Sequence, residues 1–356
     1  RGRTMTAGAG VALVLGAGGV AGRAALDHFA ATPGWTTIAA SRTPPETAPH
    51  VRRVALDLLD PESCRAAIAA HPDVTHAFFA AYLPAADPAA EVETNLAMLA
   101  NAVDALEAGA PGFRNITLVH GQKWYGNHLG PYRTPAKEDD PRHMPPNFYY
   151  DQQDFIEARQ RGKPWTWASV RIQAPLGFSL GSPMNQLLVV GLYGSICREL
   201  GLPLEFPGRR GCYDALYQVT DLGLLGRAMH WVATTPACAN RPFNVTNGDL
   251  FRWRNLWSRL ADFFGVPVGQ VRPRSLAVSM ADKGPLWERM VARHGLEPHA
   301  MEALVDWRWG DFVFGSDFDN VSSTVRLRRS GFAECLDSED AYLAALGDLR
   351  ARRIIP

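Results

Sequence analysis

Three glycines near the start of the chain have the spacing of a loop that holds a pyrophosphate. Gly16, Gly19 and Gly22 follow the short apolar run Val11-Ala-Leu-Val-Leu15 and precede a segment with helical character. Gly16 permits a tight turn, Gly19 lets the backbone approach the phosphates, and Gly22 lets the helix pack closely on the sheet. The N-terminus of that helix offers free N–H groups and a positive dipole end to the phosphates, and Val20 in the loop is a further candidate for binding the cofactor. The pattern predicts a dinucleotide site; a glycine-rich turn without a ligand is the alternative.

The residues that end the second predicted strand favour NADP over NAD. Ser41 and Arg42 stand about 20 residues after the glycine loop, where an NAD site usually carries Asp or Glu for the ribose 2′-hydroxyl. A guanidinium can pair with a 2′-phosphate that a carboxylate would repel. Asp57, after the third strand, is a candidate partner for the adenine amino group. NADPH is therefore the expected cofactor, and a solvated surface arginine is the alternative interpretation of Arg42.

Further contacts are expected where other strands end. Leu58 follows the third strand and is predicted to line the cofactor site, as is Ile172 at the end of the sixth strand. Ala80 and Ala81 end the fourth strand, and such small residues let a ribose and a nicotinamide lie against the strand end. Tyr82 comes next and is predicted to contact the substrate.

The elements that must position these residues alternate between strand and helix. Strands are predicted at 11–15, 36–40, 51–56, 74–80, 115–120 and 166–172, and helices at 23–31, 61–70, 91–108 and 147–160. This alternation is typical of βαβ units and a parallel sheet. The later part mixes helices (185–200, 254–264 and 276–295) with short strands such as 243–246, and 214–232 has both characters. The sequence predicts an α/β fold with a Rossmann-type doubly wound parallel sheet in residues 8–175. A smaller substrate-capping region, partly interwoven with it, is predicted in 176–356.

Composition argues against several classes of function. The 36 Lys and Arg residues balance 36 Asp and Glu residues, which gives no electrostatic basis for binding nucleic acid or an anionic membrane. The 5 cysteines are scattered without a CxxC pair and no HExxH spacing occurs, which favours a reducing compartment and no metal centre. No apolar run is long enough for a transmembrane helix, and no signal peptide is expected. We expect a cytoplasmic monomer or homodimer.

Several segments resemble the progesterone 5β-reductase/iridoid synthase-like (PRISE) group of atypical short-chain dehydrogenases. A typical short-chain dehydrogenase carries Tyr-x-x-x-Lys on a helix, and this chain has no such pair in the right place. The segments that resemble the group, besides the glycine loop, are Gly121-Gln-Lys-Trp-Tyr125, Gly130-Pro-Tyr132, Asn147-Phe-Tyr-Tyr-Asp151, Phe243-Asn-Val-Thr-Asn-Gly-Asp249 and Pro285-Leu-Trp-Glu288. The resemblance spans nearly the whole chain. It implies the extended short-chain dehydrogenase type of fold and an NADPH-dependent ene-reductase.

The resemblance also implies a catalytic pair, Lys123 and Tyr149. Hydride would add to the β-carbon of an α,β-unsaturated carbonyl compound, and the Tyr149 hydroxyl would stabilise the enolate oxygen that forms. Lys123 would hold the nicotinamide ribose and favour a polarised Tyr149. Both residues are expected to contact the cofactor, and Tyr149, Tyr82 and Trp124 are expected to contact a small apolar enone or enal.

Two alternatives remain open from the sequence, and three departures from the group's pattern bear on them. A carbonyl reductase or dehydrogenase would use the same cofactor and tyrosine for 1,2-reduction, and a non-catalytic NADP sensor would need neither Lys123 nor Tyr149. His120 stands where the group usually has Thr or Ser, and Trp124 stands where it has His. Arg171-Ile-Gln-Ala174 replaces the usual Arg-Pro-Gly-Asn beside the nicotinamide.

Overall fold

A computed structural model of the chain describes residues 9–182 and 184–356. Residue 8, with which the predicted first domain begins, and the preceding residues, which enter the signal-peptide expectation, lie outside this description. Within the described residues, no helix combines the length and the apolar character that a bilayer crossing requires.

The strands follow the predicted pattern closely in the first half of the chain. They are β1 (Gly10–Leu15), β2 (Trp35–Ser41), β3 (Arg52–Ala55), β4 (His76–Phe79), β5 (Asn115–Gly121), β6 (Thr166–Ile172), β7 (Pro175–Leu176), β8 (Leu204–Phe206), β9 (Leu216–Tyr217), β10 (Thr220–Asp221), β11 (Arg241–Val245), β12 (Phe251–Arg252) and β13 (Val268–Val271). Seven of them form one parallel sheet in the order β11-β6-β5-β4-β1-β2-β3. The shorter strands pair as β7 with β10, β9 with β12, and β8 with β13.

Helices connect and cover the strands. They are α1 (Val20–Ala31), α2 (Pro61–Ala69), α3 (Pro88–Gly109), α4 (Phe148–Gln160), α5 (Gln186–Glu199), α6 (Arg210–Asp214), α7 (Leu222–Thr234), α8 (Trp253–Phe264), α9 (Leu276–Ser279), α10 (Gly284–His294), α11 (Met301–Leu304), α12 (Trp307–Gly315), α13 (Val325–Arg329) and α14 (Ser338–Ala351). The single helix predicted at 276–295 is wrong, because α9 ends at Ser279 and Pro285 begins a new first turn in α10.

The sheet is covered on both faces, which confirms the doubly wound fold. Alternate residues of β1 point to opposite faces, as the pleat of a strand requires. Ala12 and Val14 join a hydrophobic cluster with α1 and α7, whereas Leu13 and Leu15 join a cluster with α2 and α3. A parallel sheet buried on both faces explains why the strands read as continuous apolar runs.

A further hydrophobic cluster lies outside the two helical layers that cover the sheet. Its residues come from Leu176 to Ile355, and its largest members are the indoles of Trp253, Trp257 and Trp287. The same part of the chain also returns to the sheet, since β11 pairs with β6 and α7 packs against α1. The later part of the chain therefore both completes the sheet and builds a core of its own.

Candidate functional site

The glycine loop joins β1 to α1 at the point where the order of the strands reverses. In open α/β sheets, ligands bind at this crevice beyond the carboxyl ends of the strands. Gly16 has a φ of +83°, and a Cβ there would lie 2.6 Å from the Ala81 nitrogen. A Cβ on Gly22 would overlap the Gly16 carbonyl, so both positions exclude a side chain. Their spacing is therefore explained by close backbone packing.

The start of α1 has the properties of an anion site. Gly19 is its N-cap and supplies no side-chain hydrogen bond, and the first turn from Val20 contains no acidic residue. The space around a Cβ on Gly18 is open to 4 Å. Free N–H groups, a positive dipole end and open space beside the backbone suit a phosphate group. The chain's own residues therefore fit a dinucleotide pyrophosphate at this loop.

The residues predicted to select the cofactor end β2 and β3. Ser41 is the last residue of β2, and Arg42 follows it with an exposed side chain that makes no hydrogen bond or ion pair to the described residues. Asp57 is exposed and accepts a hydrogen bond of 2.9 Å from the Leu59 nitrogen. Leu58 packs its side chain into the core, and its carbonyl accepts a hydrogen bond of 2.9 Å from the Asn101 side chain.

The segment after β4 leads from the nucleotide loop to the middle of the site. The Ala80 nitrogen donates to the Leu15 carbonyl, which holds the end of β4 against β1. Tyr82 is 41% exposed, and its ring stacks on Phe148 with the ring centroids 5.3 Å apart. The Tyr82 hydroxyl donates a hydrogen bond of 2.6 Å to Glu91 in the first turn of α3. Tyr82 thus lies at the edge of the cleft with one side open to a ligand.

Lys123 lies in a short 3-10 helix, Gln122–Tyr125, directly after β5. Its Nζ pairs with Glu91 at 2.7 Å and lies 5.5 Å from the centroid of the Phe148 ring. Glu91 therefore bridges Tyr82 and Lys123 with its two carboxylate oxygens. The sequence did not single out Glu91, which reads as an ordinary acidic residue near a helix N-terminus.

Asn147 connects the lysine segment to the tyrosine helix. Its side-chain oxygen caps α4 by accepting the Tyr149 N–H at 3.2 Å, and its side-chain nitrogen donates to the Lys123 carbonyl at 2.9 Å. Tyr150 adds a second link, because its hydroxyl donates to the Trp124 carbonyl at 2.6 Å. These bonds bring Lys123 and Tyr149 to one end of the sheet. Their neighbours Trp124 and Tyr150, which the last of these bonds joins, are 26 positions apart in the sequence.

The Tyr149 hydroxyl lies against the backbone at the end of β5. A Cβ on Gly121 would come within 3.2 Å of the Tyr149 oxygen, so only glycine leaves this approach free. Burial raises the pKa of the Tyr149 hydroxyl above its ordinary value, the Glu91 carboxylate raises it further, and the Gly121 N–H opposes both. The hydroxyl is therefore protonated near neutral pH and can donate a hydrogen bond.

His120 and Trp124, two departures from the group's pattern, are in contact with each other. The His120 ring lies 4.7 Å from the Tyr149 ring and 5.8 Å from the Trp124 ring, and the Arg171 guanidinium lies 3.6 Å from the Trp124 ring centroid. Burial, reinforced by the charge of Arg171, lowers the pKa of His120 to about 3. A neutral imidazole therefore packs behind the tyrosine. Trp124 is 3% exposed and supports this stack from the protein interior.

Arg171 is held by polar groups from three segments. Its guanidinium donates to the Tyr125 hydroxyl at 3.1 Å, to the Glu138 carbonyl at 3.0 Å and to the Gln153 side chain at 3.0 Å. Burial lowers the pKa of Arg171 below its ordinary value. Arg171, the first residue of the segment Arg171-Ile-Gln-Ala174, therefore supports the site from within β6 through these hydrogen bonds.

The segment that follows β6 turns back towards the glycine loop. Ile172 ends β6 in register with Gly121, and Ala174 takes a φ of +34°. Further on, the Ser179 hydroxyl donates to the Gly18 carbonyl at 2.7 Å. This part of the chain therefore contacts the glycine loop, and Ile172 lies next to the strand that carries Gly121.

Comparisons with known proteins agree with this architecture. A family model described as a PRISE-like Rossmann-fold domain matches residues 56–356. The short chain dehydrogenase gsfE of Penicillium aethiopicum is 32% identical and covers 97% of this chain and 99% of its own. The (S)-8-oxocitronellyl enol synthase ISY1 of Nepeta cataria is 31% identical, covering 97% of this chain and 93% of its own.

Another relative and two solved structures extend the comparison. The 3-oxo-Delta(4,5)-steroid 5-beta-reductase of Arabidopsis thaliana is 29% identical over 97% of this chain and 93% of its own. RMD from Pseudomonas aeruginosa, solved with NADPH, superposes with a TM-score of 0.67 at 17% identity, covering 97% of this chain and 98% of its own. A UDP-glucose 4-epimerase from Thermotoga maritima superposes with a TM-score of 0.69 at 14% identity, covering 96% and 99%. The solved structures share the fold.

Proposed function

Because the chain is an oxidoreductase of the PRISE-like Rossmann-fold family, we propose that it reduces the C=C bond of α,β-unsaturated carbonyl compounds with NADPH. The printed activities of two relatives support this proposal, since one reduces a steroid that carries the 3-oxo-Δ4,5 group and another is an oxocitronellyl enol synthase. One name specifies an enol product and the other a 3-oxo group beside a Δ4,5 double bond, so both concern the oxygen of a carbonyl or its enol.

The observation that carries the proposal is the continuous path from the glycine loop to Tyr149. Gly16 packs on the backbone of Ala81, Tyr82 follows and bonds Glu91, and Glu91 pairs with Lys123. Asn147 then joins the Lys123 carbonyl to the first turn of α4, where Tyr149 stands. A cofactor bound along the strand ends would therefore meet the lysine and the tyrosine at the same place.

The chain's residues suit NADPH in the following way. Gly16, Gly19, Val20 and Gly22 would hold the pyrophosphate, and Arg42 with Ser41 would hold the 2′-phosphate. We assign the adenine end to Asp57 and Leu58, and the ribose and nicotinamide end to Ala80, Ala81, Lys123, Tyr149 and Ile172. When bound, the reduced nicotinamide supplies a hydride for the β-carbon of the substrate.

In the chemical step, Tyr149 stabilises the carbonyl oxygen of the substrate, which gains negative charge. Its neutral hydroxyl donates a hydrogen bond to the enolate oxygen, and such a donor typically contributes about 3 kcal/mol to the transition state. The Phe148 and His120 rings, 4.3 Å and 4.7 Å from the Tyr149 ring, fix its orientation before substrate binds. Lys123 orients the ribose, and solvent supplies the proton for the α-carbon.

The substrate that we propose is a small apolar enone or enal. Tyr82 presents a half-open aromatic face, and Leu180 and Met184, on the segment that reaches the glycine loop, are 47% and 40% exposed. Apolar side chains around a few polar groups are typical of small-molecule sites. Tyr193 does not belong to the substrate site that we propose. It packs in the hydrophobic cluster of the later part of the chain, and its hydroxyl donates to the Glu205 carbonyl, so it is a structural residue.

The wider assignments are also proposals. We assign NADP binding to residues 8–175 and substrate capping mainly to 176–356, with β11 and α7 as the interwoven elements. We propose a cytoplasmic monomer or homodimer that acts on a small molecule, with no nucleic-acid, membrane or metal partner.

The proposal is tested by following NADPH oxidation with 2-cyclohexen-1-one, progesterone and a linear enal. We expect saturated carbonyl products and a preference for NADPH over NADH. Tyr149→Phe should lower kcat by about 100- to 1,000-fold with little change in NADPH affinity, because it removes only the donor to the enolate oxygen. Tyr193→Phe, which removes a remote hydroxyl, is the control and should keep its kcat. Tight NADPH binding without turnover of any conjugated carbonyl would refute the proposal.

A further inference from the structure

Glu91 is an acidic residue enclosed in the middle of the site. It lies in the first turn of α3 and is 6% exposed, whereas Glu93 on the same helix is exposed. One carboxylate oxygen lies 2.7 Å from the Lys123 Nζ, and the other lies 2.6 Å from the Tyr82 hydroxyl. Both oxygens are therefore engaged, and the carboxylate cannot turn away without leaving the lysine unpaired.

Three titratable groups around this ion pair, His128, His120 and Tyr82, are uncharged near neutral pH. Burial, with the charges of Lys123 and His143, lowers the pKa of His128 to about 4, against an opposing effect of Glu91. His120, on β5, has its pKa lowered to about 3 by burial and by Arg171. Burial and the hydrogen bond to Glu91 raise the pKa of the Tyr82 hydroxyl above its ordinary range. The charged groups nearest this part of the site are therefore Lys123 and Glu91, with the Arg171 and Arg142 guanidinium groups against the Trp124 ring.

We propose that Glu91 is a positioning residue that neutralises Lys123 and thereby keeps Tyr149 protonated, committing the site to reduction. This inference rests on the proposed function, which assigns the ribose to Lys123 and the substrate oxygen to Tyr149. In reduction, the tyrosine donates a hydrogen bond to an oxygen that gains charge. Oxidation of an alcohol runs the other way, since the tyrosinate must accept the hydroxyl proton as the carbinol hydride leaves for the oxidised cofactor.

The ion pair changes what the lysine does to the tyrosine. A free cation close to a phenol favours the phenolate, whereas a carboxylate disfavours it. With its partner 2.7 Å away, Lys123 presents little net charge to Tyr149. An ammonium group has three N–H donors, and Glu91 uses one of them. Two donors remain for ribose hydroxyls, so the pairing is compatible with cofactor binding.

The first test measures the protonation of Tyr149 without any turnover. The absorbance of tyrosinate is titrated to pH 11 in Glu91→Gln and in Glu91→Gln/Tyr149→Phe, with circular dichroism to follow the fold. We expect the first variant to show tyrosinate that the second lacks, and we expect the wild type, Glu91→Asp and Glu93→Gln to show none from Tyr149. Glu91→Met serves the same purpose if the glutamine variant does not fold. Identical titrations of the single and double variants would overturn the inference.

The second test uses the pH dependence of kcat for enone reduction in the holoenzyme. For Glu91→Gln, kcat should fall about tenfold between pH 7 and pH 11, since a tyrosine that titrates at the ordinary value of about 10 is only about one-tenth protonated at pH 11. The wild type, Glu91→Asp and the exposed control Glu93→Gln should change by less than about twofold. An equal loss of kcat at every pH would show a merely structural role and overturn the inference. Absence of enone reduction in the wild type would refute the proposed function and leave the tyrosinate titration as the test of Glu91.

Discussion

Gly121 and Tyr149 show how narrowly the hydroxyl that we propose to be catalytic is placed. A Cβ at Gly121 would lie 3.2 Å from the Tyr149 oxygen, which is closer than most side-chain contacts allow. Gly121→Ala should therefore displace the hydroxyl by a few tenths of an ångström and lower kcat by about tenfold, because small misplacements are costly in the transition state. NADPH affinity, measured by fluorescence titration, should stay within about twofold of the wild type. Gly315→Ala, where a Cβ meets open space, is the matched control.

We expect Arg42 to determine the choice between the two nicotinamide cofactors. Its side chain is exposed after β2 and makes no hydrogen bond or ion pair to the described residues, so its guanidinium is available to a ligand. Arg42→Ala should weaken NADPH binding by about 10- to 100-fold and leave NADH binding unchanged, because the guanidinium would meet only the 2′-phosphate. Arg65→Ala, an exposed arginine on α2, serves as the control. An unchanged ratio of the two dissociation constants would contradict the assignment.

Individual residues were predictable from the sequence where a local motif defines them. The glycine spacing identified Gly16, Gly19 and Gly22, and close backbone packing explains Gly16 and Gly22. Glu91 was not predictable, because the sequence does not show that an acid near the start of α3 meets a lysine 32 positions later. The contact between His120 and Trp124 was missed for a related reason, since each was considered alone as a departure from the pattern.

At the scale of elements, Asn147 couples the stability of α4 to the position of Lys123. Asn147→Ala should lower the free energy of unfolding by about 1 kcal/mol, the usual effect of losing an N-cap. It should also lower kcat, because the Lys123 carbonyl loses its side-chain partner. Asp337→Ala removes the N-cap of the remote helix α14 and should cost similar stability without affecting kcat. Denaturant unfolding and steady-state kinetics measure both effects, and equal kinetics in the two variants would contradict the link.

The regular elements of the first half were predictable because their signals are local. Apolar runs gave β1, β2 and β6 within a residue or two, and Asp60 and Asp87 cap α2 and α3 with Pro61 and Pro88 in the first turn. The predicted strand at 243–246 is also confirmed as β11, but its place beside β6 depends on long-range pairing that a local pattern does not contain. The helices α6, α11, α12, α13 and α14 were not predicted; all but α14 are short and held by tertiary packing.

At the scale of the whole molecule, buried histidines should make stability depend on acid. Burial lowers the pKa of His76 to about 4 and that of His120 to about 3, from an ordinary value of 6.5. Between about pH 6.5 and pH 4, both histidines are neutral in the folded state, whereas the same histidines bind protons in the unfolded chain. The free energy of unfolding should therefore fall as the pH drops from about 6.5 towards 4, by up to about 1.4 kcal/mol per pH unit for each such histidine.

Denaturant unfolding at pH 7.0 and pH 5.0 measures this dependence. His76→Gln should reduce the difference between the free energies of unfolding at the two pH values, because it removes one group whose protonation is linked to unfolding. His50→Gln, which changes an exposed histidine, is the control and should leave the difference unchanged. A variant at His76 with the pH dependence of the wild type would contradict the assignment of this linkage to the buried imidazole.

The measurement that tests the central claim most directly follows the hydride from the cofactor into the product. NADPH that carries deuterium at the transferable C4 position is supplied with 2-cyclohexen-1-one, and the product is examined by mass spectrometry and NMR. We expect cyclohexanone with one deuterium on the β-carbon, as 1,4-reduction at the Lys123–Tyr149 site requires. Deuterium on the carbinol carbon of an allylic alcohol would contradict the account and show 1,2-reduction by the same residues.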